Sequence, residues 1–215
     1  MSLLKKRLAR QTGITQNELE SEMKEIDSSL GQDKKEKKYK ENENQIIPMY
    51  LFTSDREGNL KQWDIKKQKF IKDYGQIHSH AIESISTTND GRYLFTSDIR
   101  GNLKQWDIKR KKLIKDHGQI HSCAIESIIA TNDGRYLFTS DEYGELKQWD
   151  IERKKLIKDY GRIHSHWIKS LIATNDGKYL FTSDEYGELK QWDIERKKLI
   201  KDHGDYIKNI KNSNV

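Results

Sequence analysis

Histidine and cysteine side chains recur in this sequence as closely spaced pairs, and such residues can bind metals or act in nucleophilic catalysis. The pairs each enclose one serine and are His78/His80, His121/Cys123 and His164/His166. A protein zinc site needs three or four converging ligands, and a pair separated by one residue supplies at most two of them. We therefore expect these pairs to hold no metal, and we predict no cofactor.

Nucleophilic catalysis has equally little support. The sequence contains neither a Gly-x-Ser-x-Gly elbow nor a glycine-rich loop of the kind that cradles phosphates. Cys123, the one cysteine, takes the position that His80 and His166 hold in the other pairs. Drift of a surface residue accounts for it, and we predict that the protein is not an enzyme.

Tryptophan marks an internal repeat that positions these residues. The four copies share the segment Leu-Lys-Gln-Trp-Asp-Ile, and their tryptophans are Trp63, Trp106, Trp149 and Trp192, spaced by 43 residues. Residues 130–160 and 173–203 match at 29 of 31 positions, so one unit has been duplicated. The repeats occupy residues 49–215, and residues 1–48 contain no trace of the unit.

Each repeat carries the local signals of four short strands. In the third copy a β-branched run over residues 125–130 stops at a turn containing Gly134, and an apolar run over residues 136–140 follows. A turn at Gly144 leads into the Trp149 segment, and a last run covers residues 155–158. Four strands joined by short hairpins are typical of a propeller blade. We therefore predict an all-β propeller of about four blades.

The unit resembles the WD40 repeat, whose period is about 40–45 residues with Trp-Asp ending the third strand. The resemblance covers residues 49–215 and includes the first histidine of each pair, His78, His121 and His164, where the family has Gly-His. It implies that these histidines and the four tryptophans are structural. It also implies that each indole N–H donates to a second-strand threonine, and the candidates are Thr53, Thr96, Thr139 and Thr182.

One departure from the family pattern concerns the partner of the histidine. The family usually has an aspartate six residues before the tryptophan, where this chain has Glu57, Arg100, Tyr143 and Tyr186. Aspartates stand two residues earlier, at Asp55, Asp98, Asp141 and Asp184. The usual His–Asp bond therefore requires a loop bent so that the earlier aspartate substitutes.

The ends of the repeat region bear on how the blades close. The first repeat lacks an opening strand, and residues 206–210 align with the opening strand at residues 167–171. A C-terminal strand could complete the first blade and close a four-bladed ring, which removes exposed sheet edges. Two alternatives stay open, namely half of an eight-bladed homodimer and a fragment of a longer protein.

The two rims expected of a propeller differ in charge. The basic rim combines the turns between first and second strands, with Arg92, Arg135 and Lys178, and the turns between third and fourth strands. The latter hold the candidate anion-binding residues Lys66, Lys67, Lys109, Arg110, Lys111, Lys112, Arg153, Lys154, Lys155, Arg196, Lys197 and Lys198. Such a surface could bind an acidic protein, anionic lipid or nucleic acid. Alternatively, it is a solvated face of a lysine-rich chain.

The opposite rim, which we call the acidic rim, contains the turns between second and third strands and the histidine loops. Its candidate partner-binding residues are Glu57, Arg100, Tyr143, Tyr186 and Trp167. Tyrosine, tryptophan and arginine dominate interface energetics, and the resemblance implies that this rim receives peptide partners. Alternatively, the aromatic side chains pack against neighbouring turns.

Residues 1–48 form a separate region. Residues 1–31 are predicted to be an amphipathic helical arm, because Leu19, Met23, Ile26 and Leu30 make an apolar stripe at helical spacing. The arm would dock on a partner or form a short coiled coil. Alternatively, it is a helix that frays in isolation or packs on the propeller. Residues 32–44 are nearly all charged or amide, which predicts that residues 32–48 are a disordered linker.

These features favour a non-enzymatic protein–protein interaction scaffold. The alternatives are a targeting or regulatory propeller fragment of a larger signalling enzyme, or a binder of anionic lipid or nucleic acid through the basic rim. No run approaches the roughly 20 apolar residues of a membrane helix. A single cysteine suits a reducing compartment, so the expected location is the cytoplasm.

Overall fold

A computed structural model describes residues 49–205 of the chain. The chain divides into two units, Met1–Ile47 and Pro48–Val215, and the second contains every described residue. The predicted helical arm over residues 1–31, the predicted linker over residues 32–48 and the predicted closing strand over residues 206–210 lie outside the described residues. Within residues 49–205 there is no helix with the length and apolarity of a membrane span.

The regular structure of residues 49–205 consists of four antiparallel sheets, which we call blades 1 to 4. Blade 1 contains β1 (Tyr50–Ser54), β2 (Asn59–Asp64) and β3 (Lys69–Gln76). Blade 2 contains β4 (Ile82–Thr87), β5 (Tyr93–Asp98), β6 (Asn102–Asp107) and β7 (Lys112–Gln119). Blade 3 contains β8 (Ile125–Ala130), β9 (Tyr136–Asp141), β10 (Glu145–Asp150) and β11 (Lys155–Arg162). Blade 4 contains β12 (Ile168–Ala173), β13 (Tyr179–Asp184), β14 (Glu188–Asp193) and β15 (Lys198–Asp205).

Strands within each blade pair in chain order, which confirms the predicted all-β fold built from blade-like repeats. The turn before β9 shows why the sequence folds this way. The Thr131 hydroxyl donates to Asp133 Oδ1 (2.5 Å) and accepts the N–H of Tyr136 (3.0 Å). Gly134 completes the turn with a φ of 69°, a conformation that glycine adopts without strain.

The apolar core lies between consecutive blades. Between blades 2 and 3 it is built from Tyr93, Phe95, Leu103, Ile125, Ile128, Leu137, Trp149 and Ile151. Between blades 3 and 4 the matching residues are Phe138, Leu146, Ile168, Leu171, Leu180, Trp192 and Ile194. Between blades 1 and 2 they are Leu60, Ile77, Ile82, Leu94, Trp106 and Ile108. Each blade therefore buries its apolar side chains only against a neighbour, as in other repeat proteins.

Gly144, in the turn between β9 and β10, joins that turn to the following histidine loop. Its φ is 79°, and its carbonyl accepts the N–H of Ile163 (2.8 Å). A Cβ at this position would lie 2.3 Å from the carbonyl oxygen of His164. Any other residue would therefore force two backbone segments apart.

We predict that Gly144→Ala lowers the free energy of unfolding by about 2 kcal/mol or more, because backbone strain and a backbone clash add. The matched control is Gly161→Ala, where φ is 66° but nothing lies within 4 Å of the added Cβ. We expect the control to cost only about 1 kcal/mol for its left-handed conformation. Urea unfolding followed by tryptophan fluorescence measures both, and equal losses would contradict the steric explanation.

Candidate functional site

Blades 2 and 3 each contain a buried chain of hydrogen bonds that ends at the acidic rim. In blade 2 the indole N–H of Trp106 donates to Thr96 Oγ1 (3.1 Å), which lies 2.9 Å from His78 Nε2. The other ring nitrogen, His78 Nδ1, lies 3.1 Å from Asp98 Oδ2. The corresponding residues of blade 3 are Trp149, Thr139, His121 and Asp141, at 3.1, 2.9 and 2.9 Å. The threonines expected to accept the indole hydrogens therefore do so.

The direction of these bonds follows from what each group can donate or accept. A carboxylate accepts only, so the hydrogen between His78 and Asp98 belongs to Nδ1. Burial lowers the pKa of His78 although the Asp98 charge opposes it, so the ring is neutral and its Nε2 accepts the Thr96 hydroxyl hydrogen. Thr96 in turn accepts the indole hydrogen of Trp106. Every polar group in the chain thus has the partner that burial demands.

The aspartate of each chain also shapes the rim turn. Asp98 Oδ1 accepts the backbone N–H of Arg100 (2.9 Å) and of Asn102 (3.0 Å), while its Oδ2 faces His78. The turn is therefore bent as the His–Asp bond requires, and in blades 2 and 3 the earlier aspartate replaces the one that the family pattern places two residues later.

Blades 1 and 4 vary this arrangement. In blade 4 His164 Nδ1 lies 2.9 Å from Glu188 Oε2 and 3.7 Å from Asp184 Oδ2, so the glutamate is the nearer partner. Its Nε2 still faces Thr182 at 2.8 Å, and Trp192 donates to that threonine at 3.1 Å. In blade 1 the described residues contribute only the Trp63–Thr53 bond of 3.1 Å.

The histidine ends of the bond chains in blades 3 and 4 lie in clusters of the residue types that bind metals. They are His121/Asp141/Glu145 and His164/Asp184/Glu188, each with ligand atoms within 4.8 Å of one another. The ammonium of Lys147 lies 3.7 Å from Glu145, and that of Lys190 lies 3.0 Å from Glu188. Because a cation already faces each glutamate and the imidazole nitrogens already face partners, we interpret both clusters as hydrogen-bonded networks.

Cys123 lies beside the blade 3 cluster in a half-buried position. Burial raises the pKa of its thiol to about 11, and the negative charge of Asp141 acts in the same direction. A thiol must lose its proton to act as a nucleophile or metal ligand. The thiol of Cys123 is therefore not activated at neutral pH.

The candidate partner-binding residues are exposed on the acidic rim. Tyr143 and Tyr186 are 58% and 60% exposed and occupy equivalent positions on blades 3 and 4. Their backbone N–H groups donate to Asp141 and Asp184, each at 3.0 Å. Glu57 and Arg100 are exposed at the same position of blades 1 and 2. The backbone is thus anchored in the same way four times while the side chain differs.

Trp167 lies beside Tyr186 on blade 4. It is 40% exposed, and its carbonyl accepts the N–H of Glu185 (3.1 Å). The ammonium of Lys169 lies 4.4 Å from the centre of the Trp167 ring, and the His166 ring lies 4.3 Å from that of Tyr186. Both aromatic side chains therefore contact neighbouring rim residues on one side and remain open to solvent on the other.

Nine of the twelve candidate anion-binding residues lie in the third-to-fourth-strand turns, whereas Lys112, Lys155 and Lys198 are the first residues of the fourth strands. All twelve are exposed except for the half-buried Lys111 and Lys154. The Arg92–Glu152 ion pair (2.7 Å) joins a first-to-second-strand turn to such a turn on the next blade, which confirms that both sets share one rim. A groove of about 700 Å³ beside this pair has both signs of charge in its lining. Further turn cations pair with the aspartate of Trp-Asp, as Arg153 does with Asp150 at 2.9 Å.

Sequence reasoning assigned no role to the lysine and glutamine before each tryptophan. Lys147 Nζ donates to the carbonyl of Ile120 (2.7 Å), directly before His121, and so holds the histidine loop in place. Gln148 is fully buried and accepts the hydroxyl hydrogen of Tyr160 (2.8 Å). The repetition of Leu-Lys-Gln in all four copies was the feature of the sequence that could have indicated a structural role for the lysine and the glutamine.

Comparison with known proteins supports the resemblance seen in the sequence. The WD40 family model, described as "WD domain, G-beta repeat", matches residues 71–107. A chain in the crystal structure of the mitotic checkpoint complex is similar in fold, with 14% identity, a TM-score of 0.66, and coverage of 73% of this chain and 48% of that one. Kuenenia stuttgartiensis hydrazine synthase is similar at 17% identity and a TM-score of 0.62, with coverage of 71% and 45%. No curated protein matches.

At these identities the structural likeness establishes the fold, and the chain spans about half the length of the two structures. The protein therefore has an all-β fold of the propeller type, built from blade-like repeats. Within it, residues 71–107 match the WD40 repeat model, and the other copies carry the same Trp-Asp unit. WD40 propellers are generally non-catalytic folds that bind other proteins.

We predict that Thr139→Val lowers the free energy of unfolding by about 1–3 kcal/mol, since the isosteric change leaves Trp149 and His121 without their partner in a buried site. Thr53→Val is the matched control, because Thr53 is exposed and bonds only Trp63. We expect a much smaller loss there. Urea unfolding measures both, and equal losses would show that the indole bond alone matters.

His117 on β7 departs from the blade pattern. It occupies the position of Tyr160, whose hydroxyl donates to Gln148 in blade 3. In blade 2 neither His117 Nε2 nor Gln105 Oε1 has a hydrogen-bond partner among the described residues. Burial lowers the pKa of His117 from 6.5 to about 4, so the ring is neutral at neutral pH.

Because folding lowers the pKa of His117, its contribution to stability is complete above about pH 6.5 and is lost as the pH falls toward about 4. Burial lowers the pKa of His78 and His164 in the same direction. We predict that the free energy of unfolding declines between about pH 7 and about pH 5. His117→Tyr should reduce this decline and add about 0.5–1.5 kcal/mol through a bond to Gln105. Urea titrations at both pH values measure these effects, and an unchanged pH dependence in the variant would contradict the assignment.

Proposed function

We propose that this protein is a non-enzymatic, cytoplasmic scaffold that binds a protein partner at its acidic rim. The observation that carries the proposal is the rim position shared by Glu57, Arg100, Tyr143 and Tyr186. Its backbone is held by the same aspartate contact in every blade, whereas its exposed side chain changes. A rigid backbone presenting variable side chains is the arrangement that a recognition surface needs.

The chemistry of the rim suggests the kind of partner. Blades 3 and 4 present Tyr143, Tyr186 and Trp167, which offer large contact areas at low conformational-entropy cost. Blades 1 and 2 present one acidic and one basic side chain, Glu57 and Arg100. A peptide segment with apolar anchor residues at one end and charged residues at the other fits both halves of this surface.

Binding of anionic lipid or nucleic acid at the basic rim has less support than binding of a protein at the acidic rim. Arg92 and Arg153 each lie within 3 Å of a carboxylate, Glu152 and Asp150 respectively, so part of the positive charge is neutralised within the rim. Binding of anionic lipid or nucleic acid depends on free cations that neutralise phosphates. The alternative of a targeting propeller within a larger signalling enzyme would use the acidic rim in the same way.

We predict that peptides selected on the protein from a random phage-displayed library bind the acidic rim. The double variant Tyr143→Ala/Tyr186→Ala should weaken their binding by about 30-fold or more, since even one tyrosine that is an interface hot spot contributes about 2 kcal/mol. Fluorescence anisotropy with a synthetic selected peptide measures the dissociation constant.

The matched control is Lys154→Ala/Lys197→Ala, which changes two equivalent positions of the basic rim on the same two blades. Peptide binding should be unchanged in this control. Loss of binding in the basic-rim variant with retention in the tyrosine variant would overturn the proposal, as would failure of the library to yield any binder.

A further inference from the structure

The interface between consecutive blades is built three times from the same residue positions. One blade contributes what we call its front face, which in blade 2 consists of Tyr93, Phe95 and Leu103. The next blade contributes its back face, which in blade 3 consists of Leu137, Trp149 and Ile151. The amide of Gln105 on the front face also donates to the carbonyl of Ile151 across this interface (3.3 Å).

Two faces of the described structure have no such partner. The back face of blade 1 consists of Leu51, Trp63 and Ile65, which are 49%, 36% and 43% exposed. The equivalent residues of the other blades are at most 8% exposed. The front face of blade 4, which consists of Tyr179, Phe181 and Leu189, is only partly buried, although Phe138 and Leu146 at the same positions of blade 3 are fully buried.

These two open faces are complementary, because each carries the residue types that meet at the three internal interfaces. They do not meet within one molecule, since Leu51, Trp63 and Ile65 remain exposed. We propose that they meet between two molecules: blade 4 of each copy packs on blade 1 of the other, and two chains form one ring of eight blades. A two-fold assembly in which each copy uses both faces closes, whereas a single such contact would leave an open chain.

The inner edge of blade 1 is open as well. Among the described residues β1 pairs only with β2, whereas β5, β9 and β13 each also pair with an inner strand. Blade 1 therefore presents to a second copy both an apolar face and an open strand edge.

The basic rim provides a sharp test of this contact. The internal interfaces are bridged by Arg92–Glu152 (2.7 Å) and Arg135–Glu195 (3.8 Å). At the proposed contact between copies the same two positions hold Lys178 and Lys66, a like-charged pair. Lys66→Glu would restore the ion pair.

Sedimentation equilibrium over a range of concentrations should give a mass of twice 25.4 kDa for the full chain, with dissociation on dilution. Lys66→Glu should tighten the dimer by about two- to fivefold, the effect of one exposed ion pair. The matched control is Lys109→Glu, which makes the same charge change at the equivalent position of blade 2. That position belongs to the internal interface with blade 1, where Met49 replaces the arginine, so dimerisation should be unchanged.

Variants of the two open faces complete the test. Ile65→Asp and Phe181→Asp should each give monomers, because each variant alters one side of both contacts. An equimolar mixture of the two should recover dimers, since the unaltered blade 4 of the Ile65→Asp chain can pack on the unaltered blade 1 of the Phe181→Asp chain. Leu113→Asp, at an exposed apolar position of β7, should remain dimeric. Far-UV circular dichroism distinguishes a folded monomer from an unfolded variant.

A wild-type mass of 25.4 kDa at every concentration would overturn the proposal. If Lys66→Glu raised the free energy of unfolding without producing a dimer, the contact would instead form within one chain that closes on itself. A mass that grows without limit would also overturn it, in favour of an open filament. Peptide binding at Tyr143 and Tyr186 by the Ile65→Asp monomer separates these outcomes from the proposed function.

Discussion

The buried bond chain from tryptophan through threonine and histidine to a rim carboxylate is the constraint on which each complete blade depends. In blade 2 it joins the third strand at Trp106, the second strand at Thr96, the preceding loop at His78 and the rim turn at Asp98. Polar groups that are removed from water must find partners in the protein. Once the indole and the imidazole are buried, the loop and the turn are therefore held at fixed positions relative to the two strands.

This constraint separates the rim backbone from the rim side chains. The aspartate fixes the turn through two backbone amides, as Asp141 does with Tyr143 and Glu145 (3.0 and 2.9 Å). The glycine that follows packs against the histidine loop of the next blade. The two residues between them, Glu142 and Tyr143 in blade 3, differ from those of blades 1 and 2 although the backbone is held on both sides, as the proposed recognition surface requires.

The low hydrophobic content, 33% of the chain against 34% charged, follows from where the core lies. Apolar side chains are needed only at the faces where two blades meet, and the turns and outer strands are largely charged. Because apolar side chains lie where a neighbouring blade would pack, the first and last blades each have an apolar face that no described residue covers. Blade 1 shows this most clearly, because Trp63 still bonds Thr53 but stays 36% exposed.

The sequence by itself determined the repeat, the four strands per unit, the turn positions and the threonine acceptors, because all of these depend on contacts between residues close along the chain. It also placed Tyr143 and Tyr186 in equivalent turns. Only the tertiary structure decided that Asp98 and Asp141 face the histidines while Glu188 takes that role in blade 4, and that Lys147 holds the histidine loop. It also decided which faces remain open. These contacts join segments separated by 20 residues or more, and their distances are set by how the blades pack, which spacing along a chain does not specify.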